Sequence, residues 1–347
     1  MADDRIQPAK LEDLAKILGV SKVTISKALR DHPDISDDTK NRIKQLADEL
    51  GYRPNMMARN LSSRKSNIIG IVVPKIAHFF FSSIIEAVYD TAFEKNYDSV
   101  IMVSQESVER EKQHLQSLIS MRVDGLIISI TEQTKDVAVF ERILGMKIPI
   151  VFIDRVPNLT NVPTVTVDDR GGAFMAVEHF IQKGFRKIGL IGGYDHINIG
   201  QARSLGFYDA MNKYNVPIKE NWVVKGGFSE VDGFNGLKKI LASGEIPEAI
   251  LAATYPVALG VYAAASEIGI KIPNDINVMC FGNNIYKYMA PSVFDFISQP
   301  SEELGRRAVN LLIELMTKPE NVKEKNIELQ TKLLLNGKKL NCIPTVA

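Results

Sequence analysis

On a short helix starting near Lys22, the side chains of Lys22, Val23, Thr24, Ser26 and Lys27 fall near or on the face opposite Ile25, Ala28 and Leu29. At 3.6 residues per turn the second set turns inward and the first is left as a short, polar, basic surface. Ammonium and hydroxyl groups in this arrangement suit phosphate oxygens and the edges of bases. From Lys16 to Arg30 the chain carries Lys16, Lys22, Lys27 and Arg30 and no acid. A second stretch, G-Y-R-P-N-M-M-A-R-N-L-S-S-R-K from Gly51 to Lys65, adds Arg53, Arg59, Arg64 and Lys65, again without an acid. The formal net charge is only +1, so basicity is concentrated in the two stretches that would face phosphate.

The elements that would hold this face can be read from apolar spacing. Leu11, Leu14, Ala15 and Leu18 give an inner stripe to a first helix over Lys10 to Leu18. Gly19 can take the positive φ of a tight turn, Val20 fills the gap, and Ser21 caps the second helix. Ser36, with Asp37 and Asp38 behind it, opens a third helix buried through Ile43, Leu46, Ala47 and Leu50. Three short helices at these offsets predict a helix-turn-helix rather than a plain helical hairpin. After Pro54, about eight residues are too few for a helix that is stable alone in water, so this segment should order only on docking. A solvated linker would gain nothing from Met56, Met57 and Leu61 together.

These residues resemble the LacI/GalR family of bacterial transcription regulators, whose recognition helix reads V-S-x-x-T-[VI]-S and whose hinge helix reads Y-x-P-N-x-x-A-x-x-L. The matches are Val20, Ser21, Thr24, Ile25 and Ser26, then Tyr52, Pro54, Asn55, Ala58 and Leu61, at the family spacing. By that resemblance Lys22, Val23 and Lys27 read base edges in the major groove, while Ser21, Thr24 and Ser26 contact phosphate. A lysine can donate to guanine and Val23 can touch a thymine methyl. Lys27 stands where arginine is commoner, so planar bidentate contact is lost. Leu61 matches the leucine that wedges into the minor groove. Tyr52, Asn55, Met57, Ala58 and Arg59 complete the expected hinge, with Met57 packing on its mate in a second chain.

After Lys65 short β-branched runs alternate with helical stretches. Ile68 to Val73, Ser99 to Val103, Gly125 to Ile130, Ile148 to Ile153 and Val162 to Val167 read as buried strands, with helices such as Phe81 to Lys95 and Val108 to Met121 between them. This pattern implies a parallel sheet covered on both faces. It restarts at K-I-G-L-I-G-G, residues 187 to 193, with further strands near 222 to 226, 248 to 253 and 276 to 281. The expected fold is thus a small all-α helix-turn-helix head (1–50) and hinge (51–65), followed by a two-lobed α/β domain (66–347) of two doubly wound parallel sheets. The lobes are expected at about 66–165 plus 297–320 and about 166–296 plus 321–347. Ser301 to Thr317 reads as an amphipathic helix and Ile327 to Leu335 as one strand returning to the second lobe. The resemblance implies the periplasmic sugar-binding fold, with a cleft at the carboxyl ends of the strands.

Carried over residue by residue, that cleft would be lined by His78, Phe79 and Phe80 (with Phe81) after the first strand, Asp154 and Arg155 at I-D-R, and Arg203 in R-S-L-G-F, together with Phe228, Thr254, Tyr255, Asn283 and Gln299. The chain departs from the family where a sugar would be held. Thr254 and Tyr255 replace the usual Asn-Asp, and Gly282-Asn283 replaces an aspartate after the Gly-Phe pair of a later strand. With those hydroxyl partners gone and Arg203 kept, the expected effector is an anion such as a sugar phosphate or uronate.

At roughly 150 residues per domain, 347 residues and 45% hydrophobic content allow two or three globular domains. No apolar run approaches the ~18 residues of a membrane span, and charges run through the first 20 residues, so a cytoplasmic location is expected. Cys280 and Cys342 suit a reducing compartment. His32, His78, His114, His179 and His196 show no metal spacing, and no nucleophile elbow or phosphate loop occurs, so neither an enzyme nor a cofactor is expected. The expected function is a repressor that binds a near-palindromic operator as a homodimer, with a sugar-like effector in the cleft setting its DNA affinity. The alternative, a sugar transport receptor with no DNA role, gives no purpose to Lys22, Lys27 and Leu61.

Overall fold

A computed structural model describes residues 9–52, 65–283 and 292–335. The chain forms two units, Met1–Ser66 and Asn67–Ala347. In the first, α1 (Leu11–Leu18), α2 (Lys22–Ala28) and α3 (Asp37–Glu49) enclose a small core of Leu14, Ile25, Ala28, Ile43 and Ala47. Gly19 ends α1 in the left-handed conformation, φ 62°, which an L side chain adopts only with strain. Ser21 and Ser36 cap α2 and α3 by accepting from the amides of Thr24 and Thr39. Every element of the expected helix-turn-helix is therefore present.

The second unit contains two lobes. The first begins with β1 (Ile68–Val73), α4 (Phe79–Glu94), β2 (Asp98–Val103), α5 (Val108–Ser120), β3 (Gly125–Ile128), α6 (Ala138–Gly145), β4 (Ile150–Ile153) and β5 (Thr164–Val167). The second begins with α7 (Asp169–Gln182), β6 (Ile188–Gly192), α8 (Asn198–Lys213), β7 (Val223–Lys225), α9 (Glu230–Leu241), β8 (Ala249–Ala252), α10 (Tyr255–Glu267) and β9 (Asn277–Phe281). Then come β10 (Asp295–Ser298), α11 (Ser301–Thr317), β11 (Asn326–Leu329) and β12 (Lys332–Leu334). The first sheet has the order β11-β5-β4-β3-β1-β2 and the second β12-β10-β9-β8-β6-β7. All pairs are parallel except β10 with β12. The continuous apolar runs of the central strands follow from this, because helices bury both faces of a parallel sheet.

Among the described residues the chain passes between lobes at β5–α7, β10–α11 and β11–β12. The last passage corrects the expected single strand over 327–335. Asn326–Leu329 instead pairs with β5 in the first sheet, and Lys332–Leu334 pairs antiparallel with β10 in the second. Nothing in I-E-L-Q-T-K-L-L-L signals a break, since no glycine or proline interrupts the run. The short β10 also belongs to the second sheet, which trims the expected first-lobe segment at 297–298.

Candidate functional site

On α2 the cap sets the geometry. The hydroxyl of Ser21 accepts from the Thr24 amide at 3.1 Å and shares a 2.9 Å hydrogen bond with the Thr24 hydroxyl. Beside this cap Val23 is 64% exposed. Lys22 pairs with Glu12, and Lys27 Nζ lies 2.7 Å from Asp34 Oδ2. Those pairings hold Glu12 and Asp34 below the usual carboxylate range, through the lysine hydrogen bond first. Exposed pairs of this kind hold weakly, so both ammonium groups can exchange a carboxylate for a phosphate or a base edge. Ser26 lends its carbonyl to Arg30 Nε at 3.0 Å. Tyr52 packs on the head core, and burial raises its phenol pKa. Asn55, Met57, Ala58, Arg59 and Leu61 lie outside the described residues.

In the second unit the carboxyl ends of both sheets face a cleft of about 230 Å³. All eleven expected residues line it: His78, Phe79, Phe80, Asp154, Arg155, Arg203, Phe228, Thr254, Tyr255, Asn283 and Gln299. His78 precedes α4, and burial, then Lys75 and Arg155, hold its imidazole pKa below the ordinary value. Phe80 and Phe81 meet edge to face with 5.3 Å between centroids. Asp154 ends β4 at φ 57°, buried, with its carboxyl pKa raised chiefly by loss of solvent. Arg155 Nη1 reaches both oxygens of Glu106, at 2.9 and 3.0 Å, and its guanidinium lies 4.8 Å from the Phe228 ring centroid.

Several polar groups are already engaged. Thr254 caps α10, accepting from the Val257 amide at 3.3 Å and donating to the Phe228 carbonyl at 3.0 Å. Asn283 accepts from the Ser298 hydroxyl at 2.6 Å and donates to the Gln299 carbonyl at 3.4 Å. Tyr255 packs toward Phe294 and Phe296. Arg203 is 2% exposed; its Nε donates to Oδ1 of Asp169 at 2.7 Å, its Nη2 lies at ion-pair distance, 2.7 Å, from the same oxygen, and its Nη1 donates to the Ala253 carbonyl. With Asp169 ionised, the Arg203 charge is met within the protein, which weakens the case for an anion. The cations lining the cleft are Lys75, Arg155 and Arg203, against the carboxyls of Glu106, Glu132, Asp154 and Glu230. Two buried donors, Gln299 Nε2 and Arg155 Nε, have no hydrogen-bond partner among the described residues.

Lys75, Glu106 and Glu132 were missed by sequence reading, although each follows the end of a first-lobe strand, where ligands of such sheets collect. Asp169 stands 34 residues from Arg203, and no local pattern ties the two.

Residues 10–55 match the bacterial regulatory proteins of the lacI family, and residues 177–335 match the periplasmic binding protein-like domain. The HTH-type transcriptional repressor PurR of Pectobacterium atrosepticum is 31% identical over 316 residues, covering 89% of this chain and 91% of the relative. Catabolite control protein A of Priestia megaterium is 27% identical over 88% of this chain and 92% of its own. Among solved structures, the Lac repressor dimer bound to operator and the anti-inducer ONPF shares the fold with a TM-score of 0.81, at 24% identity over 95% of this chain and 98% of that one.

Proposed function

Since the chain belongs to the lacI family of bacterial regulatory proteins, we propose that it represses transcription by binding a near-palindromic operator as a dimer, under control of a neutral, sugar-like effector in the interlobe cleft. It is a DNA-binding regulator with a periplasmic-binding-protein-like domain, and its relatives are repressors rather than enzymes. In the proposal Lys22, Val23 and Lys27 read bases, Ser21, Thr24 and Ser26 support phosphate contact, and Leu61 with its hinge neighbours enters the minor groove.

The observation that carries the effector reading is the closed Arg203–Asp169 pair behind a cleft walled by Phe80, Phe228 and Tyr255. With that arginine neutralised, rings can stack on the apolar face of a sugar or a base while Gln299 Nε2 donates to one of its oxygens or nitrogens. Isothermal calorimetry on matched pairs, such as a free sugar with its phosphate and its uronate, tests this. Tighter binding of the neutral member supports the proposal; tighter binding of the charged member refutes it. Native mass spectrometry of freshly purified protein would supply the first candidates.

Self-association is supported by an apolar face in the first lobe. Tyr89 and Phe93 on α4 are 52% and 70% exposed, and Ile101 on the edge strand β2 is 37% exposed. One head spans few base pairs, so two-fold pairing through such a face would supply the second half-site. Lobe rearrangement would then reposition two hinges, and effector and operator affinities would be reciprocally coupled.

A further inference from the structure

Asn198 opens α8 in the second lobe, yet both ends of its side-chain amide are engaged by the first. Its Nδ2 donates to the Asp154 carbonyl at 2.8 Å, and its Oδ1 accepts from the Val156 amide at 3.0 Å. The first anchor is the carbonyl of Asp154 and the residue between the two is Arg155; both supply charged side chains to the cleft. Asp154 is held at φ 57°, a left-handed backbone that persists in an L residue only where its surroundings enforce it. A primary amide is suited to this place, since it carries both a donor group and an acceptor oxygen and so answers a carbonyl and an N–H together.

The residues beside Asn198 act in the same direction. Ile197 and Ile199, 1% and 2% exposed, pack into a core otherwise built largely from the first lobe, including Ile128, Ile130 and Phe152. The His196 ring nitrogen Nε2 lies 2.8 Å from the Glu132 carbonyl. A carbonyl only accepts, so Nε2 carries the proton. Residues 196–199 thus form a strap from the second lobe onto the first, alternating polar and apolar contacts. Asn198 does not line the cleft itself, so it acts through the residues it holds.

We propose that Asn198 is a positioning residue: it couples closure of the lobes to the backbone geometry of Asp154 and Arg155, so the cleft is assembled and closed in one step. This rests on the reading of the cleft as the effector site, but its test needs no effector. Hydrogen–deuterium exchange at Val156 and small-angle scattering would be recorded on the ligand-free full-length chain, for wild type, Asn198→Leu and Asn198→Asp. In Asn198→Leu the Val156 amide should exchange on the order of tenfold faster, as for a lost hydrogen bond, and the radius of gyration should rise. Asn198→Asp retains the acceptor and should keep Val156 protected, which provides the test if the leucine variant does not fold. Wild-type exchange at Val156 in Asn198→Leu, an unchanged scattering profile in that variant, or loss of Val156 protection in a folded Asn198→Asp overturns the proposal. Failure of every sugar to bind in calorimetry would instead sink the effector reading and leave these results standing.

Discussion

Arg203 directs Nε and Nη2 at a single oxygen of Asp169, each at 2.7 Å, and lays its guanidinium 3.8 Å from the centroid of Phe281. Both side chains are at least 95% buried, so neither charge is compensated by water. Removing one partner of such a pair costs far more than removing both. At pH 8, Arg203→Ala should destabilise the second unit by about 3–5 kcal/mol in urea denaturation, and Arg203→Met with Asp169→Leu by clearly less. An equal or larger loss in the double variant would mean that the pair is not the unit described.

Burial raises the Asp169 carboxyl pKa from 3.8 to about 7, against the pull of Arg203. The folded state therefore binds this proton more tightly than the unfolded state does. Its contribution to stability should fall as pH rises from about 4 to about 7 and stay level above that. Asp169→Asn removes the titration, so the unfolding free energy of wild type minus that of the variant should decline across this window. A difference that rises with pH would contradict the assignment.

Gly206, in the R-S-L-G-F segment, lets α8 lie against α7: an added Cβ would sit 2.1 Å from the Arg170 carbonyl oxygen and 2.8 Å from Ala173 Cβ. Gly206→Ala should cost about 1–3 kcal/mol by thermal denaturation, as overpacking does. Gly145→Ala meets nothing within 4 Å at the end of α6, and should be neutral or stabilising by up to about 1 kcal/mol.

Much of this was legible in the sequence, and the rest failed for identifiable reasons. The three head helices announced themselves through the Ser21 and Ser36 caps and the αL glycine at 19. The span of α11 and the eleven cleft residues also emerged, because strand ends and family motifs are local signals. Partnership is not local. Arg203 read as a free cation since Asp169 lies on another helix, and Thr254 read as a lost sugar contact although T-Y-P is also a helix start, with threonine as N-cap and proline in the first turn. The lobe crossing at Gln330-Thr331 left no turn signal at all.

If the face of α4 and β2 carries the dimer contact, a charge at its most exposed point should break it. Phe93→Glu is expected to elute as a monomer in light scattering coupled to size exclusion, with an unchanged melting temperature of the second unit. A dimer retained by this variant would place the contact elsewhere.

At the head, folding and recognition rest on different side chains. Val23 is 64% exposed and contributes little to packing, so Val23→Ala should change stability by no more than about 0.5 kcal/mol. It should nonetheless weaken operator binding by about 1–3 kcal/mol if it reads a thymine methyl beside the lysine contacts. Fluorescence anisotropy on operator and on unrelated duplex checks this, and an equal loss on both would assign Val23 no part in specificity.

In the proposed function α2 gives this chain its sequence-specific hold on DNA. It is tested most directly by selection from random duplexes with the full-length protein, run beside Lys22→Ala/Val23→Ala/Lys27→Ala. The wild type should enrich one near-palindromic site, bound less tightly as salt rises, and the triple variant should not enrich it. An unenriched wild-type pool, or the same site enriched equally by both proteins, would contradict the account.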